Sequence, residues 1–474
     1  MSPVAPPDTS LESPQAIESP QDTTPPTPRR RPLVLRNRAF GAVWAGQVLT
    51  QAAGRMFQVG VAWWLVAYAV EDGQGLASGL LMAVSTVPAV ALAPVVARVV
   101  ARVAHRTVLR TAAALAGTAA AGLAVWGWAS GLPLAAAYAA ALALATCQAF
   151  FDPCLTTSVP ELVDDEDIET ATGFEMSTQS LAGLGGALLG ALIVDRAGVA
   201  ALAAGCAAAY LGAALLIAGV RFRTAAVPAV AGPAPEDAGP APEDAGPAPA
   251  VAGPAPAVAG PAPAVAGPAP EQRRNLRAIL GELPHVRRIL ICFTAANLFT
   301  TAVFVVIPLY TRSVLGDGGG TVALLEASLG IGTLLGSVTG ARVPGRPTVT
   351  GACCLGLMAL AFALPGLVAD RLVIAGCLAV AGWCVGVIGV RFVALFQRLV
   401  PAADKPGFFA VMQAVLGASF PVASLLFGLA GDHLSARTLC LVQAAGLVPA
   451  AVALAVLGSR TAAEAATDRA GGAR

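Results

Sequence analysis

The sequence predicts an all-α membrane protein of twelve transmembrane helices, arranged as two pseudo-symmetric six-helix bundles (6+6). Three observations carry this. Only 12 % of the 474 residues are charged, where a soluble globular domain carries roughly 25 %. Apolar residues make up 56 %, and the mean hydropathy is +0.73. The charges are also segregated. Residues 1–38, 221–285 and 460–474 hold 25 of the 57 in 118 residues, leaving two charge-poor blocks with 32 in 356. A chain this long can bury a large core, but it lacks the charged skin that a soluble enzyme needs. A net charge of +1 offers nothing to nucleic acid.

The elements follow in order. Residues 1–38 are rich in Pro, Ser and Thr, have no apolar core, and read as a disordered cytoplasmic tail rather than a signal peptide. A helix needs about 20 apolar residues to cross a bilayer. The N-terminal block, 39–220, divides into six such spans: 40–69, 76–97, 107–129, 132–153, 168–194 and 197–220. Residues 221–285 form a Pro/Ala/Gly-rich cytoplasmic linker, with AGPAPED at 231 and 238 and AGPAPAV at 245, 252 and 259. Two prolines in every seven residues exclude a coiled coil and favour an extended tether. That tether is either a slipped repeat without specific role or a docking segment. The C-terminal block, 286–459, gives spans at 287–311, 321–341, 348–368, 372–397, 405–430 and 436–458, and 460–474 is a second cytoplasmic tail.

Lys and Arg fix the expected orientation, because cytoplasmic loops retain positive charge. With the N-terminus inside, 23 of the 29 basic residues fall on inside segments, and Arg196, Arg312, Arg371 and Arg437 fall outside. Arg55 and Arg391 lie within spans. This makes a multi-pass cell-membrane protein with both termini cytoplasmic. Trp63, Trp64 and Tyr68, and Trp126 with Trp128, sit at outer span ends and suit an interfacial aromatic belt.

The halves echo one another. LLMAVSTVP at 80–88 precedes Arg98 as LLEASLGIG at 324–332 precedes Arg342, and Val159-Pro160 leads to Asp195 as Val400-Pro401 leads to Asp432. Parallel six-helix repeats are a transporter architecture.

With these residues, and with Arg36-Asn37-Arg38-Ala39-Phe40, Phe151-Asp152-Pro153, Asn297, Pro308-Leu309-Tyr310 and Gln397 before Val400-Pro401, the chain resembles the major facilitator superfamily. It is most similar to the efflux branch that includes bacterial siderophore and macrolide exporters. The family's loop between spans two and three reads roughly G-x-L-A-D-R-x-G-R-R. Here Arg98, Arg102 and Arg106 occupy a conformational loop in which Ala97, Ala101 and Ala104 replace the glycines and the acid. The fifth-span glycine motif is partial, with Gly183, Gly185, Gly186 and Gly190. The resemblance implies a proton-coupled exporter of a small amphipathic molecule (antibiotic, siderophore or similar metabolite), acting as a monomer in the lipid bilayer, with protons as coupling ion. A facilitator or importer is the alternative, left open by the missing acid at 101. A non-transporting scaffold or sensor is the alternative of another class. It should fail when 228–270 are deleted, whereas a transporter should keep its flux.

The site residues follow from the cost of polar groups in lipid. Gln47, Gln51, Arg55 and Gln58 make a polar stripe on span one, which faces either a water-filled cavity or a polar helix neighbour. Centring Arg55 costs roughly 3 kcal/mol on insertion scales, so it needs a partner. Asp152, Glu175 and Glu326 are the candidates, and also the candidates for proton coupling, since a carboxyl held out of water can exchange a proton during transport. Each is alternatively a static, hydrogen-bonded carboxyl. The stripe, Thr294, Asn297 and Thr301 on span seven, and Trp383 and Arg391 on span ten make up the substrate and cavity set. Arg391 could instead snorkel to the inner interface. Nine cysteines without a C-x-x-C and three scattered histidines support no metal site. No ATP-binding loop or hydrolase motif occurs, so no cofactor and no enzyme activity is expected.

Overall fold

The computed structural model describes residues 33–220, 222, 281, 284–401 and 405–471. Most of the predicted linker, residues 1–32 of the first tail and 472–474 of the second lie outside these residues.

The chain is all-helical. A short helix α1 (Leu33–Arg36) leads to α2 (Arg38–Trp64), α3 (Gln74–Ala91), α4 (Ala93–Arg102), α5 (His105–Ser130) and α6 (Leu134–Leu162). A continuous run of 51 helical residues then breaks at Gly198, where φ is +81°. Positive φ is open to glycine without a Cβ clash, so this residue makes the tight reversal between α7 (168–197) and α8 (199–218). The second half comprises α9 (Pro284–Thr301), α10 (Val303–Tyr310), α11 (Gly319–Thr339), α12 (Pro347–Leu367), α13 (Arg371–Leu399), α14 (Lys405–His433) and α15 (Ala436–Gly471).

Ten of the described spans are long and apolar enough to cross a membrane, with α7 and α8 counted as one and α9 and α10 as one. Separating α7 from α8 at Gly198 makes eleven. Adding α2, whose polar stripe lowers its hydropathy, makes twelve. Spans one to six are α2, α3, α5, α6, α7 and α8. Spans seven to twelve are α9–α10, α11, α12, α13, α14 and α15. The boundaries agree with the sequence reading except at three spans: span two ends at Ala91, where a separate helix α4 begins, span twelve continues as helix to Gly471 through most of the expected tail, and span four is longer than expected. There α6 continues to Leu162, nine residues beyond the expected end, so Asp152 lies inside the helix rather than at its mouth.

Duplication shows in local geometry as well as in sequence. Spans one and seven both end in a five-residue π-helical turn, Leu65–Ala69 and Thr311–Leu315. Such turns are rare and collect at functional sites. Within each half the helices approach through small residues, which is how helices pack where lipid removes the hydrophobic drive. A Cβ on Gly190 would meet the Met56 carbonyl and, at 2.9 Å, the Gly60 nitrogen, and one on Gly186 would reach the Met56 nitrogen at 2.9 Å. Gly183 and Gly185 face open space. The glycine motif on span five is thus split between two packing positions and two free ones.

With twelve spans, the start of α2, the end of α8, the start of α9 and the membrane exit of α15 fall on one face, here termed the terminal face. Asn37 caps α2 by accepting from the Phe40 amide at 3.1 Å and donates to the Leu162 carbonyl at 2.7 Å. Arg36 pairs with Asp167, and His105 with Glu161 at 2.8 Å. These contacts tie the ends of spans one, three and four together within the first half.

Candidate functional site

The polar stripe of α2 divides among four neighbours, three in its own half and one in the other. Gln47 is only 2 % exposed and donates to the Glu175 backbone carbonyl at 3.2 Å, so it fastens α2 to α7. Gln51 donates to Asp152 Oδ1 at 3.4 Å. Gln58 accepts from Arg55 at 2.8 Å and points its amide at the Met82 sulfur, 3.3 Å away on α3. The stripe therefore looks partly into its own half and partly across to the other.

Arg55 reaches across. Its Nη2 lies 2.8 Å from Glu326 Oε2 on α11, joining the first half to the second. The guanidinium also stands 4.7 Å from the centroid of the Phe304 ring on α10. Arg55 lies roughly 26 Å along α2 from its start, at 1.5 Å per residue. Glu326, the partner among the three candidates, is 6 % exposed. Two charges held this far from water need each other, because breaking a buried pair leaves one charge uncompensated. Placing the cation over a ring face adds a weaker attraction.

The other two acids form a separate group inside the first half. Gln148 donates to Asp152 Oδ1 at 2.5 Å, alongside Gln51. Thr156, one turn along α6, donates to Glu175 Oε1 at 2.5 Å and lies 3.3 Å from the Asp152 carbonyl oxygen. Glu175 is 5 % exposed, and its Oε2 has no hydrogen-bond partner. Asp152 is only partly buried.

Two further carboxylates, not selected from the sequence as site residues, join the halves at the face opposite the termini. Asp195, at the end of α7, accepts from the Gly319 amide at the start of α11, from Trp63 Nε1 at 2.5 Å and from the Tyr68 hydroxyl at 2.9 Å. Asp432, at the end of α14, accepts from the Gly75 amide at 2.8 Å and the Leu76 amide at 3.2 Å, both in the first turn of α3. Below Asp432, α3 and α14 pack through Gly75, Gly79, Ser424 and Gly428. Among the described residues, every hydrogen bond that joins the halves belongs to Arg55–Glu326 or to these two aspartates. Trp63 is consequently 1 % exposed and belongs to this junction, not to an interfacial belt. Trp126 and Trp128 are exposed, as a belt requires.

The remaining expected residues are dispersed. Asn297 donates to Ser419 Oγ at 2.6 Å and ties α9 to α14. Thr294 and Thr301 return their hydroxyls to their own helix, at 2.9 and 2.8 Å. Trp383 donates to Thr339 at 2.9 Å. Arg391 reaches the Gly345 carbonyl beyond the end of α11, which is the snorkelling alternative, and its Nε has no partner. Arg98 and Arg102 are exposed on α4. Arg106 donates to the Ala218 carbonyl at the end of α8, the preferred place for a cation on a helix. No group of three metal-ligating side chains exists among the described residues.

The architecture matches known transporters. The nucleoside transporter NupG superposes with a TM-score of 0.61 at 11 % identity, over 88 % of this chain and 99 % of that one. A bacterial homologue of the iron transporter ferroportin, in an inward-facing state, gives 0.63 at 12 % identity, over 89 % and 99 %. A D-xylose–proton symporter gives 0.58 at 13 % identity, over 88 % and 96 %. At such identities the likeness shows the fold. No curated protein matches the sequence. The sequence pattern of the Major Facilitator Superfamily, however, matches residues 43–346, which include all but the first few residues of the first half and the second-half helix that carries Glu326. Pattern and fold together place this chain in the Major Facilitator Superfamily.

Proposed function

We propose that this secondary transporter exports a small amphipathic molecule in exchange for protons, alternating access to its centre between two six-helix halves. The Arg55–Glu326 pair is the observation that carries the reading. It is a buried contact between the halves, so any motion that parts them must separate or re-partner two charges. A rocking motion coupled to protonation of an intramembrane carboxyl meets that requirement. Asp152, which accepts from Gln51, and Glu175, whose backbone carbonyl accepts from Gln47, offer the carboxyls. The arginine distribution favours a cytoplasmic terminal face, so the junctions formed by Asp195 and Asp432 would close the outer side. Outward transport is supported by the resemblance to exporters, and proton coupling by the symporter that shares the fold.

The test is flux in proteoliposomes, with a substrate chosen from a drug-susceptibility panel in an efflux-deficient host. An imposed pH gradient should drive concentrative movement, while counterflow without a gradient should persist. Flux indifferent to the gradient would make the protein a facilitator.

A further inference from the structure

Resting on the transport reading, we propose that Asp152, with Gln51 and Gln148, binds the charged group of an organic cation, and that this chain selects cationic over anionic or neutral molecules of the same size.

The charges at the centre do not balance. Arg55 is compensated in full: Glu326 takes its charge at 2.8 Å, Gln58 accepts a further hydrogen at 2.8 Å, and Phe304 covers its face at 4.7 Å. It has little left for an anionic substrate. Asp152 is the reverse case. Among the described residues the ion pairs are Arg36–Asp167, Arg55–Glu326 and His105–Glu161, and none includes Asp152. Its two donors, Gln51 and Gln148, are neutral amides, and both go to Oδ1. Oδ2 is left to be shared, and the side chain is partly exposed where Glu326 and Glu175 are closed off. Intramembrane acids pair with a cation or face a water-filled cavity. This one is partly exposed, has no cationic partner among the ion pairs of the described residues, and is free to take one up.

A second observation marks the same place. Glu175, buried to 5 % exposure, keeps Oε2 without a partner, and its Oε1 shares Thr156 with the Asp152 backbone. A second carboxylate with an unpartnered oxygen is thus linked to Asp152 through Thr156. The donor set argues against an inorganic cation, since no three ligating side chains converge among the described residues. A divalent ion would want six or more oxygens. A single carboxylate braced by two amides suits a monovalent organic group whose desolvation is cheap.

The experiment compares tetraphenylphosphonium with tetraphenylborate, which match in shape and differ in charge sign. Equilibrium binding to the purified full-length protein in detergent is measured for wild type, Asp152→Asn, Asp152→Glu and Gln148→Ala. Wild type should prefer the phosphonium. Asp152→Asn should weaken phosphonium binding roughly tenfold or more, as expected for loss of a Coulombic attraction away from water, and leave borate binding unchanged. Asp152→Glu should restore part of the affinity, and Gln148→Ala should show an intermediate loss. An unchanged melting temperature for Asp152→Asn would exclude misfolding as the cause. Equal phosphonium affinity in wild type and Asp152→Asn, a wild-type preference for borate, or no phosphonium binding would overturn the proposal. Binding at equilibrium needs no gradient, so such a failure is separate from a failure of proton-coupled flux.

Discussion

Asp195 and Asp432 occupy corresponding positions in the two halves, and each accepts the opening amides of a helix that belongs to the other half. Asp195 closes span five and takes the Gly319 amide of span eight, and Asp432 closes span eleven and takes the Gly75 and Leu76 amides of span two. The first four amides of a helix have no partner within it, and the positive end of the helix dipole attracts the carboxylate. Each junction is therefore a helix cap supplied across the gap. It holds only while the face is closed, because parting the halves returns both sides to water.

Losing a cap costs about 0.5–2 kcal/mol. Asp432→Ala and Asp195→Ala should therefore each expose the capped amides, and hydrogen exchange at Gly75, Leu76 or Gly319 should rise by about tenfold. Asp→Asn keeps an acceptor oxygen and should produce a smaller rise. Exchange unaltered in the double Ala variant would show that packing alone closes this face.

Packing at that junction makes its own prediction. A Cβ on Gly79 would collide with the Ser424 carbonyl oxygen and approach Gly428 Cα at 3.0 Å, which is backbone and cannot swing away. Gly79→Leu should hold this junction face open, abolish transport, and leave both halves folded. Native-like melting with raised exchange along α3 and α14 is the expected signature. Gly122 or Gly356, which face open space, should accept Ala without effect on flux.

The ion pair calls for a cycle rather than a single variant. Arg55→Ala leaves Glu326 buried and uncompensated, which costs about 3–5 kcal/mol for a buried pair. Melting should fall clearly for Arg55→Ala, and by less for Glu326→Gln, whose Arg55 retains Gln58 and the Phe304 ring. The double variant Arg55→Met with Glu326→Gln should melt near wild type, yet lose transport if the pair times the motion. Transport retained by the double variant would reduce the pair to a packing contact.

What could be read in the sequence was set by short range. The spans, the break between the halves and the arginine bias all come from stretches of about 20 residues, and the helix boundaries follow them closely. The hydropathy places the end of span four at 153, although α6 runs on to Leu162 through the polar Thr156, Thr157 and Ser158. The partners were harder. Asp152, Glu175 and Glu326 are equally plausible for Arg55 in the sequence, and only the packing of α11 against α7, which brings Glu326 within reach of the long Arg55 side chain, selects Glu326. The echo of Val-Pro before Asp195 and Asp432 was visible, but their role was not. Gly319 is 124 residues from Asp195 and Gly75 is 357 from Asp432, and a lone glycine at a helix start carries no sign of which acid will cap it. Trp63 looked like a belt residue for the same reason, since its acceptor lies 132 residues away.

Glu175 offers the sharpest separation of coupling from structure. Its Oε1 accepts from Thr156, and its Oε2 is buried without a partner. Gln is nearly isosteric with the acid and cannot exchange a proton. If the carboxyl takes part in coupling, Glu175→Gln should fold and melt as wild type, bind substrate normally and sustain counterflow, but fail to accumulate substrate against a pH gradient. The balance of effects matters because a buried carboxylate that served only packing would behave differently. Removing its charge would relieve the desolvation penalty of an unpaired ion, so melting would rise while gradient-driven flux stayed the same. Measuring melting, counterflow and gradient-driven flux on one preparation distinguishes the two, and an unchanged gradient-driven flux removes Glu175 from the mechanism.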